Sequence, residues 1–183
     1  PRRIWWRLTL ASLIAAAVAG CAAPSAIHES STLNANQGVV TLRVVSLHER
    51  TLRHLTIQNV DTQEDLKLEP QPALGGDSYR FTGIVPEGRY RTKHLHGSDV
   101  EDLGYAQRTH TLTVPLDRPA NRFEVLSGHL TNLGSLIFTP MQGSKFVAPR
   151  EDTPVAARDW LEYANPKLAA SLNPARELGW AEP

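Results

Sequence analysis

The sequence predicts a mainly β protein: an antiparallel β-sandwich followed by a short C-terminal α-helical segment. Three observations carry that expectation. Between Gly38 and Ala148 apolar residues come in short runs that alternate with polar ones, the period of a half-buried strand. Pro, Gly, Asn and Asp separate these runs at short intervals and no long helical pattern interrupts them, which is the layout of one sheet packed on another. Beyond Thr153 the apolar spacing lengthens to that of a helix.

Taken in order, GVVTLRVVSL from Gly38 places Val40, Leu42 and Val44 on one face of a strand, and RHLTIQNV from Arg53 does the same for Leu55 and Ile57. The polar run Asp61 to Asp65 is a turn, and Leu66 and Leu68 begin a return strand that Pro70 and Pro72 are expected to end, completing a hairpin. SYRFTGI sets Tyr79, Phe81 and Gly83 against Arg80 and Thr82. Pro86-Glu87-Gly88 supplies a turn, since proline presets its second position and glycine suits its fourth. GRYRTKHLH then resumes the alternation, with Arg89, Arg91 and Lys93 on one face and Tyr90, Thr92 and His94 on the other. That basic stripe reads as protection of an exposed strand edge, or as a contact for phosphate-bearing lipid or an acidic partner. THTLTVPL, RFEVL, HLTNLGSLIF and KFVA add further short strands, so the sandwich is expected to occupy residues 38–150.

In TPVAARDWLEYANPKL, Ala157, Trp160, Leu161, Ala164 and Leu168 recur at helical spacing, Asp152 or Thr153 can cap, and Pro154 suits a first turn. A helix over 154–164 follows, and Asn165-Pro166 and Asn173-Pro174 restart helices beyond it, so residues 151–183 form a helical cap. Its apolar stripe, Trp160, Leu161, Leu168, Leu172 and Trp180, packs on the sandwich or, through Trp160, Leu161 and Trp180, docks a partner protein.

Ahead of the strands, PRRIWWR carries Arg2, Arg3 and Arg7, and Leu8 to Gly20 holds no charge, the layout of an export signal. As a helix that stretch rises only about 20 Å against a hydrocarbon core of roughly 30 Å, so a permanent membrane span is not expected. It closes on Val18-Ala19-Gly20-Cys21, which resembles the bacterial lipobox, and residues 1–20 resemble a lipoprotein signal peptide. The resemblance implies a diacylglyceryl thioether and an N-acyl chain on Cys21, with the membrane as partner through that anchor. Ala22, where aspartate would signal inner-membrane retention, implies the outer membrane in a host that has one; the periplasmic face is expected over the cell surface. Several acyl chains on one residue hold a protein at a bilayer for long periods. An ordinary secretory signal with a chance cysteine, and twin-arginine export through Arg2-Arg3, stand as alternatives. Cys21 is the only cysteine, so no intrachain disulfide can form. Residues 21–37, rich in Ala, Ser and Asn without periodicity, are expected to be a flexible tether reaching about 50 Å.

Phe81-Thr82-Gly83-Ile84-Val85-Pro86-Glu87-Gly88-Arg89-Tyr90 resembles the strand-turn-strand signature of transthyretin-like sandwiches such as carboxypeptidase regulatory-like domains. Phe123-Glu124-Val125 followed by Gly128-His129-Leu130-Thr131-Asn132-Leu133-Gly134 is similar to the closing strands of bacterial lipoproteins built on such modules. The resemblance implies a binding or scaffolding module over residues 38–150.

Lys plus Arg total 19 and Asp plus Glu total 19, so no nucleic-acid partner is expected. No phosphate-cradling or dinucleotide-type glycine motif and no Gly-x-Ser-x-Gly elbow occurs, and Ser127-Gly128-His129 is adjacency in sequence alone. His94 and His96, two apart on a strand and followed by Asp99, Glu101 and Asp102, are the candidates for a metal site, although no spacing fixes further ligands. Tyr79, Phe81 and Tyr90 are placed as core rather than as sugar-binding aromatics. The function expected is non-enzymatic: a lipid-anchored envelope module that binds or scaffolds a partner protein, with no cofactor beyond the lipid on Cys21. The contrasting expectation is a metal-dependent or accessory envelope enzyme using His94 and His96.

Overall fold

The computed structural model describes residues 26–46, 50–72, 78–102, 104–116, 122–139, 145–147 and 154–173. Along the chain come β1 (Gln37–Ser46), β2 (Arg50–Asn59), β3 (Asp65–Pro72), β4 (Ser78–Pro86), β5 (Gly88–Asp102), β6 (Gln107–Pro115), β7 (Arg122–Val125), β8 (Leu130–Thr139) and β9 (Lys145–Val147), then α1 (Pro154–Ala164) and α2 (Pro166–Ser171). The mainly β expectation with a short helical segment holds.

Hydrogen bonding joins the strands into one curled sheet in the order β6-β5-β2-β3-β4-β1-β8-β9, with β7 also on β5. The sheet turns within β3, whose Asp65 to Leu68 pair with β2 and whose Glu69 to Pro72 pair with β4. Pro70 therefore does not end this strand, which has left one partner for another and runs on to Pro72. The turn at Pro86 to Gly88 likewise passes the chain between distant parts of the sheet, because β4 pairs with β1 while β5 pairs with β2.

The antiparallel expectation needs correction at one pair: β1 runs parallel to β8. Parallel neighbours need a long crossover, and the chain makes one by passing through β2 to β7 before returning as β8. Thr41 faces Asn132 and Arg43 faces Ser135, so Leu133 and Gly134 together oppose Leu42. Gly134 takes φ 78°, a value costly for residues with a Cβ, and its N–H donates to Asn132 Oδ1 at 3.0 Å.

Alternation along β1 distributes its side chains to two cores. Val40, Leu42 and Val44 enter the main one with Leu55, Ile57, Phe81, Tyr90, Leu95 and Phe123, drawn from strands on both sides of the β3 turn. Val39 points the other way and joins Ile84, Leu130, Ala157, Leu168 and Leu172 in a second core beneath the helices. Trp160 and Leu161, 4% and 1% exposed, lie in that second core, so packing on the sheet rather than an open docking surface accounts for them. Trp180 lies outside the described residues.

Helix α1 spans the expected residues. Asn165 ends it and starts α2: its Oδ1 accepts the Leu168 N–H at 2.9 Å, and Pro166 occupies the first turn. The same side chain reaches the N-terminal segment, where Asn165 Nδ2 donates to the backbone oxygens of His28 at 2.6 Å and Ser31 at 3.0 Å. Ile27 is 4% exposed inside the second core, Leu33 packs against it, and Gln71 Nε2 donates to the Ile27 carbonyl at 3.0 Å. Residues 26–36 are thus a docked strap, which corrects the flexible tether expected over 21–37. Two apolar side chains and the carbonyls of Ile27, His28, Ser31, Ala35 and Asn36 hold it, a signal without period. Cys21 and the lipobox residues Val18, Ala19 and Gly20 lie outside the described residues.

Candidate functional site

A group of titratable side chains sits on the face of β2 and β5 turned away from the main core. Leu55 and Leu95 pair across these strands with both side chains fully buried, so their neighbours point outward. His54 and His96 are such neighbours and stand directly opposite each other. Their rings stack with centroids 4.3 Å apart and planes 25° apart, and the His94 ring lies 5.8 Å from that of His96.

Two irregularities assemble the group. The register passes from Leu52–Gly97 to His54–His96, leaving Arg53 as an extra residue on β2, and from Thr56–His94 to Ile57–Thr92, leaving Lys93 as an extra residue on β5. The second bulge changes the parity of β5. Strict alternation sets His94 and His96 opposite the basic stripe; the bulge instead brings both to the outer face. Lys67 on β3, paired with Thr56, borders the rings, and Thr113 on β6 places its Oγ1 3.2 Å from His96 Nδ1.

These surroundings disfavour charge on the rings. Partial burial, the His96 ring, Lys67 and Arg53 hold the pKa of His54 below the ordinary histidine value. Partial burial, His94 and Lys67 do the same for His96. Among the described residues no group of three or more His, Cys, Asp or Glu side chains is arranged to hold a metal ion. Stacking gives the reason at His54 and His96: imidazole lone pairs lie in the ring planes, and those of two nearly parallel rings do not converge on one ion. The side chains of Asp99, Glu101 and Asp102 lie outside the described residues.

The basic stripe has a different setting from the one expected. β5 is interior, with β2 on one side and β6 and β7 on the other, so the stripe guards no edge. Its cations meet partners from β2, β3 and their connection: Arg89 pairs with Asp61, Arg91 donates to Gln58 Oε1 at 2.6 and 3.0 Å, and Lys93 lies 2.9 Å from Asp65. The guanidinium of Arg89 holds the Asp61 carboxyl below its usual range.

Other sequence candidates resolve into structure. Ser127 donates its hydroxyl to the Ala35 carbonyl, and His129 Nδ1 donates to the Ser127 carbonyl at 2.7 Å, so this serine and histidine do not form a nucleophile–base pair. Phe81 and Tyr90 are core, with the Tyr90 hydroxyl donating to the Pro86 carbonyl at 3.0 Å, and Tyr79 packs partly buried against them. Sequence reasoning missed His54, because cross-strand register is not written in either strand alone, and missed the strap.

No family model matches the chain, and no curated protein matches it. Among solved structures it is similar to a leucine-rich repeat protein from Bacteroides thetaiotaomicron VPI-5482, at 15% identity and a TM-score of 0.35. That likeness covers 61% of this chain and 14% of the other, and at this level it carries no functional argument.

Proposed function

We propose that this chain is a lipid-anchored module of the bacterial cell envelope, attached through Cys21, that acts by contact as a binding or scaffolding partner and not by catalysis. The observation that carries the proposal is the uncharged run Leu8 to Gly20 behind three arginines, closing on Val18-Ala19-Gly20-Cys21. The resemblance to transthyretin-like β-sandwich modules supports it, as does a main core shared by strands on both sides of the β3 turn. Ala22 favours the outer membrane in a host that has one.

The test is the intact mass of protein extracted from membranes of a bacterial host expressing the full chain. The expected species begins at Cys21 and carries diacylglyceryl and N-acyl groups, and Cys21→Ala leaves the membrane fraction or remains unprocessed. A free thiol on Cys21 in the wild type refutes the anchor. For scaffolding, crosslinking in the intact envelope should trap a discrete partner with the anchored chain; no captured species above the Cys21→Ala background refutes that role.

A further inference from the structure

Beyond the anchoring and contact role, we propose that the outer face of β2 and β5 formed by His54, His94 and His96, bordered by Lys67 and Arg53, is an acid-strengthened binding site for a phosphoryl oxyanion. Three imidazoles stand within centroid separations of 4.3 and 5.8 Å along the row, and each is only partly buried, so a ligand can reach them from solvent. Protonated imidazole donates from both nitrogens, and the Lys67 ammonium adds further donors at the border. A phosphoryl group has up to three acceptor oxygens in a tetrahedral array and one to two negative charges, which suits several separated donors. A planar carboxylate is better matched by a guanidinium fork.

The stacked pair makes the affinity depend on acid. Two neutral rings stack without penalty, whereas two imidazolium rings at that spacing repel, and Lys67 and Arg53 add to the repulsion. An oxyanion placed over the rings removes the repulsion, so proton uptake and anion binding reinforce each other. The charged groups around the rings are accounted for strand by strand. On β2 Arg53 adjoins His54. On β3 Lys67 is a cation facing them, while Asp65 is engaged by Lys93 of β5 at 2.9 Å. On β6 the residues opposite His96 and His94 are Thr113 and Pro115, neither of which titrates. The basic stripe of Arg89, Arg91 and Lys93 already has partners from β2, β3 and their connection, so the histidine face, and not that stripe, is the place for an external anion.

The ligand chemistry has two possible sources, a dissolved phosphate and a phospholipid headgroup. The test follows the imidazole proton resonances of the purified full chain in neutral detergent at constant ionic strength. Titrations are run alone, with inorganic phosphate, and with phosphatidylglycerol doped into the micelles. The expected result is a rise of about half a pH unit in the titration midpoints of His54, His94 and His96, with His28 and His129 unmoved as internal references. A rise with inorganic phosphate assigns a dissolved ligand, and a rise with phosphatidylglycerol alone assigns a headgroup; both support the site. His96→Gln should abolish the rise at His54 and His94. Lys67→Met, which leaves all three rings in place, should reduce it, so the proposal does not depend on one variant folding. An equal shift at His28 and His129, no shift with either phosphate source, or one equivalent of zinc perturbing the same three rings with phosphate inert would overturn it.

Discussion

Asn165 offers the sharpest separation between a local and a tertiary role. It is fully buried, and its amide makes three hydrogen bonds: the oxygen caps α2 at Leu168, and the nitrogen holds the strap at His28 and Ser31. Truncation by Asn165→Ala removes the cap on the Leu168 N–H, worth about 1 kcal/mol, and strands two part-buried carbonyls, each costing about 1–2 kcal/mol, so a loss of about 3–5 kcal/mol is expected. Aspartate caps helices as well as asparagine does. A pure cap would therefore tolerate Asn165→Asp. In this structure the new carboxylate oxygen would face two carbonyl oxygens at the former 2.6 and 3.0 Å contacts, and the variant should be at least as unstable as Asn165→Ala. Burial and those carbonyls raise the aspartate pKa in the folded state, so stability should recover as pH falls through that raised value, where the protonated acid again donates. Urea unfolding of the three proteins, with amide exchange over residues 28–36, measures both effects. Near-wild-type stability of Asn165→Asp at neutral pH, with the strap amides still protected, would refute the reasoning.

Two further outcomes follow from the same structure. A Cβ at Gly38 would lie 2.5 Å from the Leu126 oxygen and 2.9 Å from Val125 Cγ1, so Gly38→Ala should cost about 1–3 kcal/mol by thermal or urea unfolding; an unchanged midpoint would refute the close approach of β1 to the Leu126 backbone. Without added anion, His54 and His96 have folded-state values below the unfolded one, so the unfolded chain binds more protons and stability should decline as pH falls below the ordinary histidine value, levelling off beneath the lowered ones. His54→Gln should flatten that decline, and an identical pH profile in the variant would refute it.

Strand positions were legible because side chains alternate between two faces, which writes a two-residue period into GVVTLRVVSL and SYRFTGI even though β1 and β4 are covered on both faces. Helix α1 was legible through Pro154 and the spacing of Ala157, Trp160 and Leu161. Pairing was not. Nothing in β1 or β8 alone states that they run parallel, and Pro70 looks like a strand end until β4 is seen beside it. His54 escaped for a related reason. It stands opposite His96 only through the register that the Arg53 bulge sets, and a bulge is a property of two paired strands. The strap is held by Ile27, Leu33 and bonds to its own carbonyls, and backbone acceptors carry no sequence signature at all.

Because Asn165 and Gln71 grip the chain from Ile27 onward, only five peptide steps separate Cys21 from the first described residue, a leash of about 17 Å at most. Under the proposed anchoring, a body moored so closely to a bilayer would have little freedom to roll. It would ride with its helical flank, where the strap is gripped, nearest the mooring.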